Sequence, residues 1–129
     1  MTRDELIIKT ENYIKNIPEV KKEISKLDEE IMRCSEKVEE SKEEIKMLSR
    51  RKRLLEIKIE KLKNAMDVLS EQEQKIICYR YFENMSYSKI GSVMGYSQSF
   101  CKKSKVNNIL YTIGRMVFTA EILLYGLED

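Results

Sequence analysis

Leu69-Ser-Glu-Gln-Glu73, Tyr79-Arg-Tyr-Phe82, Ser86-Tyr-Ser-Lys-Ile-Gly91 and Met94-Gly-Tyr-Ser97, with a lysine-bearing segment after them, follow one another in the second half of this 129-residue chain. Ser70-x-x-Glu73 reads as a capping box, in which the serine oxygen and the glutamate satisfy each other's orphan amide donors. A first helix then runs to about Phe82, with Ile76, Ile77, Tyr79, Arg80 and Tyr81 around it. Ser86 caps a second helix whose apolar face is Ile90, Val93 and Met94. Gly95 stands where a helix C-terminus calls for a left-handed residue. Ser97 caps a third helix reaching residue 110, with Phe100, Cys101, Ile109 and Leu110 inward. Gly91 is unfavourable inside a helix by about 0.8–1 kcal/mol against alanine, which a close crossing by the third helix would explain. The turn of about three residues between helices two and three is a helix-turn-helix connection.

In such a framework the third helix enters a DNA major groove with its N-terminal end toward the bases. Gln98, Ser99 and Lys102, just after the Ser97 cap, are the expected base-edge readers: Gln98 for adenine, Lys102 for guanine. Lys103 and Lys105 are placed for phosphates, and Tyr87 and Ser88 can donate to the DNA backbone from the start of the second helix. The net charge of +2 conceals an asymmetry: no acid lies between Glu83 and Glu121, while Lys89, Lys102, Lys103, Lys105 and Arg115 do. That is the electrostatic footprint of a nucleic-acid binder. It is a modest one, since neutralising about four phosphates gives a salt slope of only about −3 to −4. A second copy or a larger partner would therefore assist binding. Arg80 suits either an ion pair at the edge of the core or a phosphate contact, the former being preferred. Arg50-Arg51-Lys52-Arg53 reads as a solvated face rather than a nucleic-acid patch.

Leu69–Leu110 resembles region 4 of sigma-70-type RNA polymerase sigma factors. The matching run is Leu69-Ser70, Arg80-Tyr81-Phe82, Ser86-Tyr87-x-x-Ile90-Gly91, Met94-Gly95-x-Ser97 and Cys101-Lys102. The family usually carries alanine at the Gly91 position, valine or threonine near Cys101, and more arginine in the recognition helix than this chain with its Asn107 and Asn108. Those departures bear on sequence preference more than on fold. The resemblance implies reading of the promoter −35 element and contact with RNA polymerase. A complete sigma factor also needs a domain that melts DNA with stacking aromatics, and this chain has no tryptophan and only charged helix before residue 67. A helical front end on a region 4-like domain is similar to the ArpU-type phage and prophage late-gene regulators. A polymerase-binding adaptor that mimics region 4 without reading DNA is the alternative.

The front half has a pattern of its own. Ile17, Val20, Ile24, Leu27, Ile31, Cys34 and Val38 fall alternately three and four apart; after a break at Ser41 come Ile45 and Leu48, and after a second break at Lys52 come Leu55, Ile59, Leu62 and Met66. This is an a/d seam sustained over about seven heptads. Pro18 suits the first turn of that helix, leaving residues 4–16 as a separate short one. Flanking charges repel in a parallel dimer. In an antiparallel arrangement Glu23–Lys58, Glu30–Arg51 and Lys37–Glu44 attract, each by a few tenths of a kcal/mol. An antiparallel homodimer through residues 17–66 and an intrachain hairpin turning at 38–41 both satisfy this. The missing glycine or proline at the turn favours a continuous helix of about 75 Å, and a parallel dimer or a foreign partner helix is the remaining option.

The chain thus reads as all-α: a helical coiled-coil arm over residues 1–67, as a long heptad helix or hairpin, then a three-helix helix-turn-helix domain with an apolar C-terminal helix over 68–129. The tail, Tyr111 to Leu127, is helical despite Gly114 and is expected to pack back on the domain. No apolar stretch reaches a membrane span and the first residues form no signal peptide, so a cytoplasmic protein without membrane contact is expected. Cys34, Cys78 and Cys101 read as reduced, buried thiols. The absence of histidine excludes His-dependent catalysis and metal sites. No catalytic residue, metal or cofactor is expected; the partners are double-stranded DNA and RNA polymerase.

Overall fold

A computed structural model describes residues 1–36, 41–95 and 103–128 of the chain. All regular structure among them is helical: α1 (Arg3–Ser35), α2 (Lys42–Val68), α3 (Glu71–Ile77) continued by a π-helical turn (Cys78–Phe82), α4 (Tyr87–Val93), α5 (Lys103–Val117) and α6 (Thr119–Tyr125). They form two compact units, one of Asn16–Lys61 and one of Met1–Lys15 with Leu62–Asp129. The first fifteen residues thus belong with the C-terminal unit.

Within the Asn16–Lys61 unit the heptad seam is used inside the chain. Ile17, Val20, Leu27 and Cys34 of α1 are buried, as is Ser41 just before α2. Of the arrangements the seam allows, the intrachain hairpin is the one formed, α1 ending at Ser35 and α2 beginning at Lys42. Ser35 turns its hydroxyl back to the Ile31 carbonyl at 2.8 Å, and Glu36 N–H reaches only three residues back, to Arg33. Such local bonding lets a helix end without glycine or proline. The two helices then lie side by side as an antiparallel hairpin, joined by Arg51 to Glu23 and by Lys52 Nζ to Asp28 Oδ1 at 2.5 Å. These partners differ from the heptad expectation, which gave Arg51 to Glu30 and Glu23 to Lys58. Exposed pairs of long side chains contribute about 0–1 kcal/mol, so their choice does not set the register. Arg53 pairs with Glu60 at 2.8 Å, so three of the four bases in Arg50–Arg53 are in ion pairs.

Pro18 lies inside α1, not at its start. A proline in a helix interior costs about 3 kcal/mol. It is tolerated because apolar side chains are buried on both sides of it, Ile14 before and Val20 after.

The other unit is built around Leu6, Ile14, Ile76, Ile77, Ile90, Val106, Leu110 and Ile113, all with no exposed surface. The start of α1 crosses α5 at Gly114, where a Cβ would lie 2.3 Å from Thr10 Oγ1 and 3.0 Å from Leu6 Cγ. Only a residue without a side chain permits that approach. Thr10, fully buried, satisfies its hydroxyl on the Leu6 carbonyl at 2.7 Å. Tyr13 meets Phe118 edge-on, centroids 5.5 Å apart. Tyr81 donates to Glu11 Oε2 at 2.6 Å, joining α1 to the π-helical turn. The chain ends pair beside one another, Glu128 N–H donating to Met1 O at 2.8 Å and Arg3 N–H to Glu128 O at 3.1 Å. The apolar tail is therefore core of this unit as far as Phe118, packed on α1, whereas Leu123 and Leu124 of α6 remain exposed. Two smaller expectations are corrected. Cys78 is exposed while Cys34 is buried, and Val93 is 52% exposed, so the inward face of α4 is Ile90 and Gly91. Cys101 lies outside the described residues.

Candidate nucleic-acid interface

The capping box is formed as its spacing requires: Glu73 N–H donates to Ser70 Oγ at 3.2 Å and Ser70 N–H to Glu73 Oε1 at 3.1 Å. It starts α3, which extends to Phe82 as expected but changes winding at Cys78. Glu83 N–H reaches back five residues to the Cys78 carbonyl at 3.1 Å, and Met85 N–H bonds Tyr79 O at 2.9 Å. Asn84, at φ 54°, reverses the chain, a conformation that asparagine tolerates better than most residues. This reversal delivers Ser86 to the start of α4, where its Oγ accepts from Lys89 N–H at 3.1 Å.

Arg80 is fixed between these elements. Its guanidinium stacks over the Tyr87 ring at 3.9 Å and Nη1 donates to Met85 O at 3.1 Å. Its contact is thus a ring face and a carbonyl, and no ion pair to a carboxylate forms among the described residues. Tyr87 is accordingly half-buried and anchored, while Ser88 and Lys89 in the same helical turn are exposed. At the other end of α4, Met94 N–H bonds Ile90 O at 2.9 Å, and Gly95 takes φ +75° with its N–H on Ser92 O at 3.2 Å. That is the left-handed cap its sequence position called for.

Lys103 opens α5 in solvent, and Lys105, two residues on, is half-buried and engaged. Ser97, Gln98, Ser99 and Lys102 lie outside the described residues, as does the expected crossing over Gly91. Gly91 itself is buried. The inward positions Ile109 and Leu110 are buried as the spacing predicts, and Val106 joins them. On the outward side Asn108, Thr112 and Arg115 follow one another, and the helix carries no acid. One functional candidate was invisible to pattern reading: Arg3. Its Nη2 donates to Asn108 Oδ1 and its guanidinium lies 4.9 Å from the Tyr111 centroid. No local signal connects residues more than a hundred positions apart.

Residues 65–102 match the family model for sigma-70, region 4, under a third of the chain. No curated protein and no solved structure matches the chain. The matched segment covers the end of α2, α3 with its π-helical turn, α4 and the approach to α5. It is a sigma-70 region 4-like helix-turn-helix, carried on an all-α chain.

Proposed function

We propose that this protein is a sequence-specific, DNA-binding transcription regulator of the cytoplasm that acts without covalent chemistry. The segment over 97–110, which includes the start of α5, enters the major groove in this reading, with Gln98, Ser99 and Lys102 at base edges. Lys103 and Lys105 hold phosphates, and Ser88 and Lys89 grip the backbone from the first turn of α4. Tyr87 contributes through its hydroxyl, its ring being held by Arg80. The observation that carries the reading is the region 4-like segment continuing into an acid-free α5 that opens with exposed Lys103. A basic surface without nearby acids attracts phosphate at every point of approach. RNA polymerase is the second partner, as the region 4 likeness implies, and a phage or prophage late-gene regulator of the ArpU type is the kind of protein this arrangement resembles.

The test is selection of binding sites from random duplex DNA by the full chain, with the Lys102→Ala/Lys103→Ala variant in parallel. A motif enriched by the native chain and lost in the variant is the expected result. If both recover only the same salt-labile background while polymerase copurifies, the protein is instead an adaptor that mimics region 4 without reading DNA.

A further inference from the structure

Two guanidinium groups converge on one ring of α5. Arg3, from the first turn of α1, lies 4.9 Å from the Tyr111 centroid, and Arg115, one helical turn beyond Tyr111, lies 5.7 Å from it. Neither forms an ion pair among the described residues. Of the acids nearest them in sequence, Asp4, Glu5 and Glu128 are exposed, and the Glu5 carboxylate accepts from Thr2 N–H at 3.4 Å. Two like charges brought to one aromatic ring repel each other, and the arrangement gains energy when an anion sits against both.

Arg3 is also held in place before any ligand arrives. Its backbone N–H is tied to Glu128 O at 3.1 Å, in a short bridge between Thr2 and Glu128. Its side chain is tied to Asn108 Oδ1 and to the Tyr111 face. A guanidinium has five donor hydrogens in a fixed fork, so the bond to Asn108 leaves donors for phosphate oxygens. Arginine prefers such bidentate, pre-organised recognition. Asn108 itself stands on the outward side of α5, in the part assigned above to the groove.

We propose that Arg3 and Arg115, sharing the Tyr111 ring, form a second phosphate-holding position on the DNA-reading helix, so that the beginning of the chain is part of the nucleic-acid interface. This rests on the DNA-binding reading and extends it to a segment outside the region 4-like stretch. The contact is to backbone phosphate and not to a base, because its basic groups sit beyond the N-terminal turns that read base edges. It therefore raises affinity for all sequences alike.

The experiment measures the affinity of the full chain for a mixed-sequence 24-base-pair duplex by fluorescence anisotropy across a potassium chloride series. The native chain is compared with Arg3→Gln/Arg115→Gln, Arg3→Lys/Arg115→Lys and Lys103→Ala/Lys105→Ala, each checked by circular dichroism for an unchanged helical spectrum. Removing one phosphate contact shallows the plot of log affinity against log salt by about 0.9. The glutamine variant should show that loss, and the lysine variant, which keeps the charge, should retain most of the native slope. If the native chain binds with a salt-dependent slope that the glutamine variant leaves unchanged, the second phosphate position is overturned and the DNA-binding reading stands. If the native chain shows no salt-dependent binding, both fall together. An equal loss in the glutamine and lysine variants marks a packing role for the two arginines and also overturns the proposal.

Discussion

Gly114 shows how much one missing side chain decides. By helix propensity Gly114→Ala gains about 0.8–1 kcal/mol, but the new methyl would stand 2.3 Å from Thr10 Oγ1. Overpacking of this kind costs about 1–3 kcal/mol, and here it also disturbs a buried hydroxyl bonded to Leu6 O. Gly114→Ala should therefore lower the midpoint of thermal unfolding; a rise would mean that α1 is free to move away. A second residue-scale effect comes from Glu11 and Tyr81. The bond from Tyr81 holds the Glu11 carboxyl below its ordinary pKa of 4.5. Burial, then the same bond, pushes the Tyr81 hydroxyl well above 10.0. A depressed carboxylate stabilises the fold at pH above its unfolded value and loses that contribution as pH falls through the folded one. A raised phenol does the reverse, its contribution present below pH 10.0 and lost as pH climbs. The native chain should thus lose stability below about pH 4.5 and above about pH 10 by more than Glu11→Gln does. Chemical unfolding at a series of pH values checks this, and parallel profiles for the two proteins would count against it.

Among the elements, α1 and α4 make opposite points. α4 is seven residues long, too short to hold together without help from its cap and its neighbours. Ser86→Ala removes the bond from Lys89 N–H and should lower stability by about 1 kcal/mol. It should weaken DNA binding more than Ser70→Ala does, because Ser88 and Lys89 are presented by that first turn. α1 is long enough to continue across Pro18 and to supply buried residues to both units. Pro18→Ala restores a donor for the Ile14 carbonyl and should stabilise the chain by up to about 3 kcal/mol; unchanged denaturant midpoints would show that the strain is relieved elsewhere. Both caps and the left-handed Gly95 were legible in the sequence, since each rests on bonds spanning only a few residues. The π winding at Cys78–Phe82 was not. An i-to-i+5 turn has no residue signature, and here it accompanies the Tyr81–Glu11 bond to a distant helix.

For the whole molecule, the consequence of greatest weight is that residues 1–15 complete the core of the C-terminal unit. A chain starting at residue 62 lacks Leu6, Thr10 and Ile14, all fully buried. It should lose cooperative thermal unfolding, and a peptide of residues 1–15 added in trans should restore part of it; sharp, unaided melting of the shorter chain would refute the point. The same segment brings Arg3 to Asn108 of α5. The sequence by itself determined that the chain is all-α, that capped helices begin after Ser70 and Ser86, that a region 4-like helix-turn-helix is present, and that the stretch from Glu83 to Glu121 is basic without acids. Those features are local: periodicity, caps and charge act over one or two helical turns. Tertiary structure alone decided that the heptad seam closes within one chain, between α1 and α2, that Pro18 is spanned, and that the two ends of the chain meet. These outcomes depend on which buried face finds which partner, a competition between energies of a few kcal/mol that no local pattern encodes.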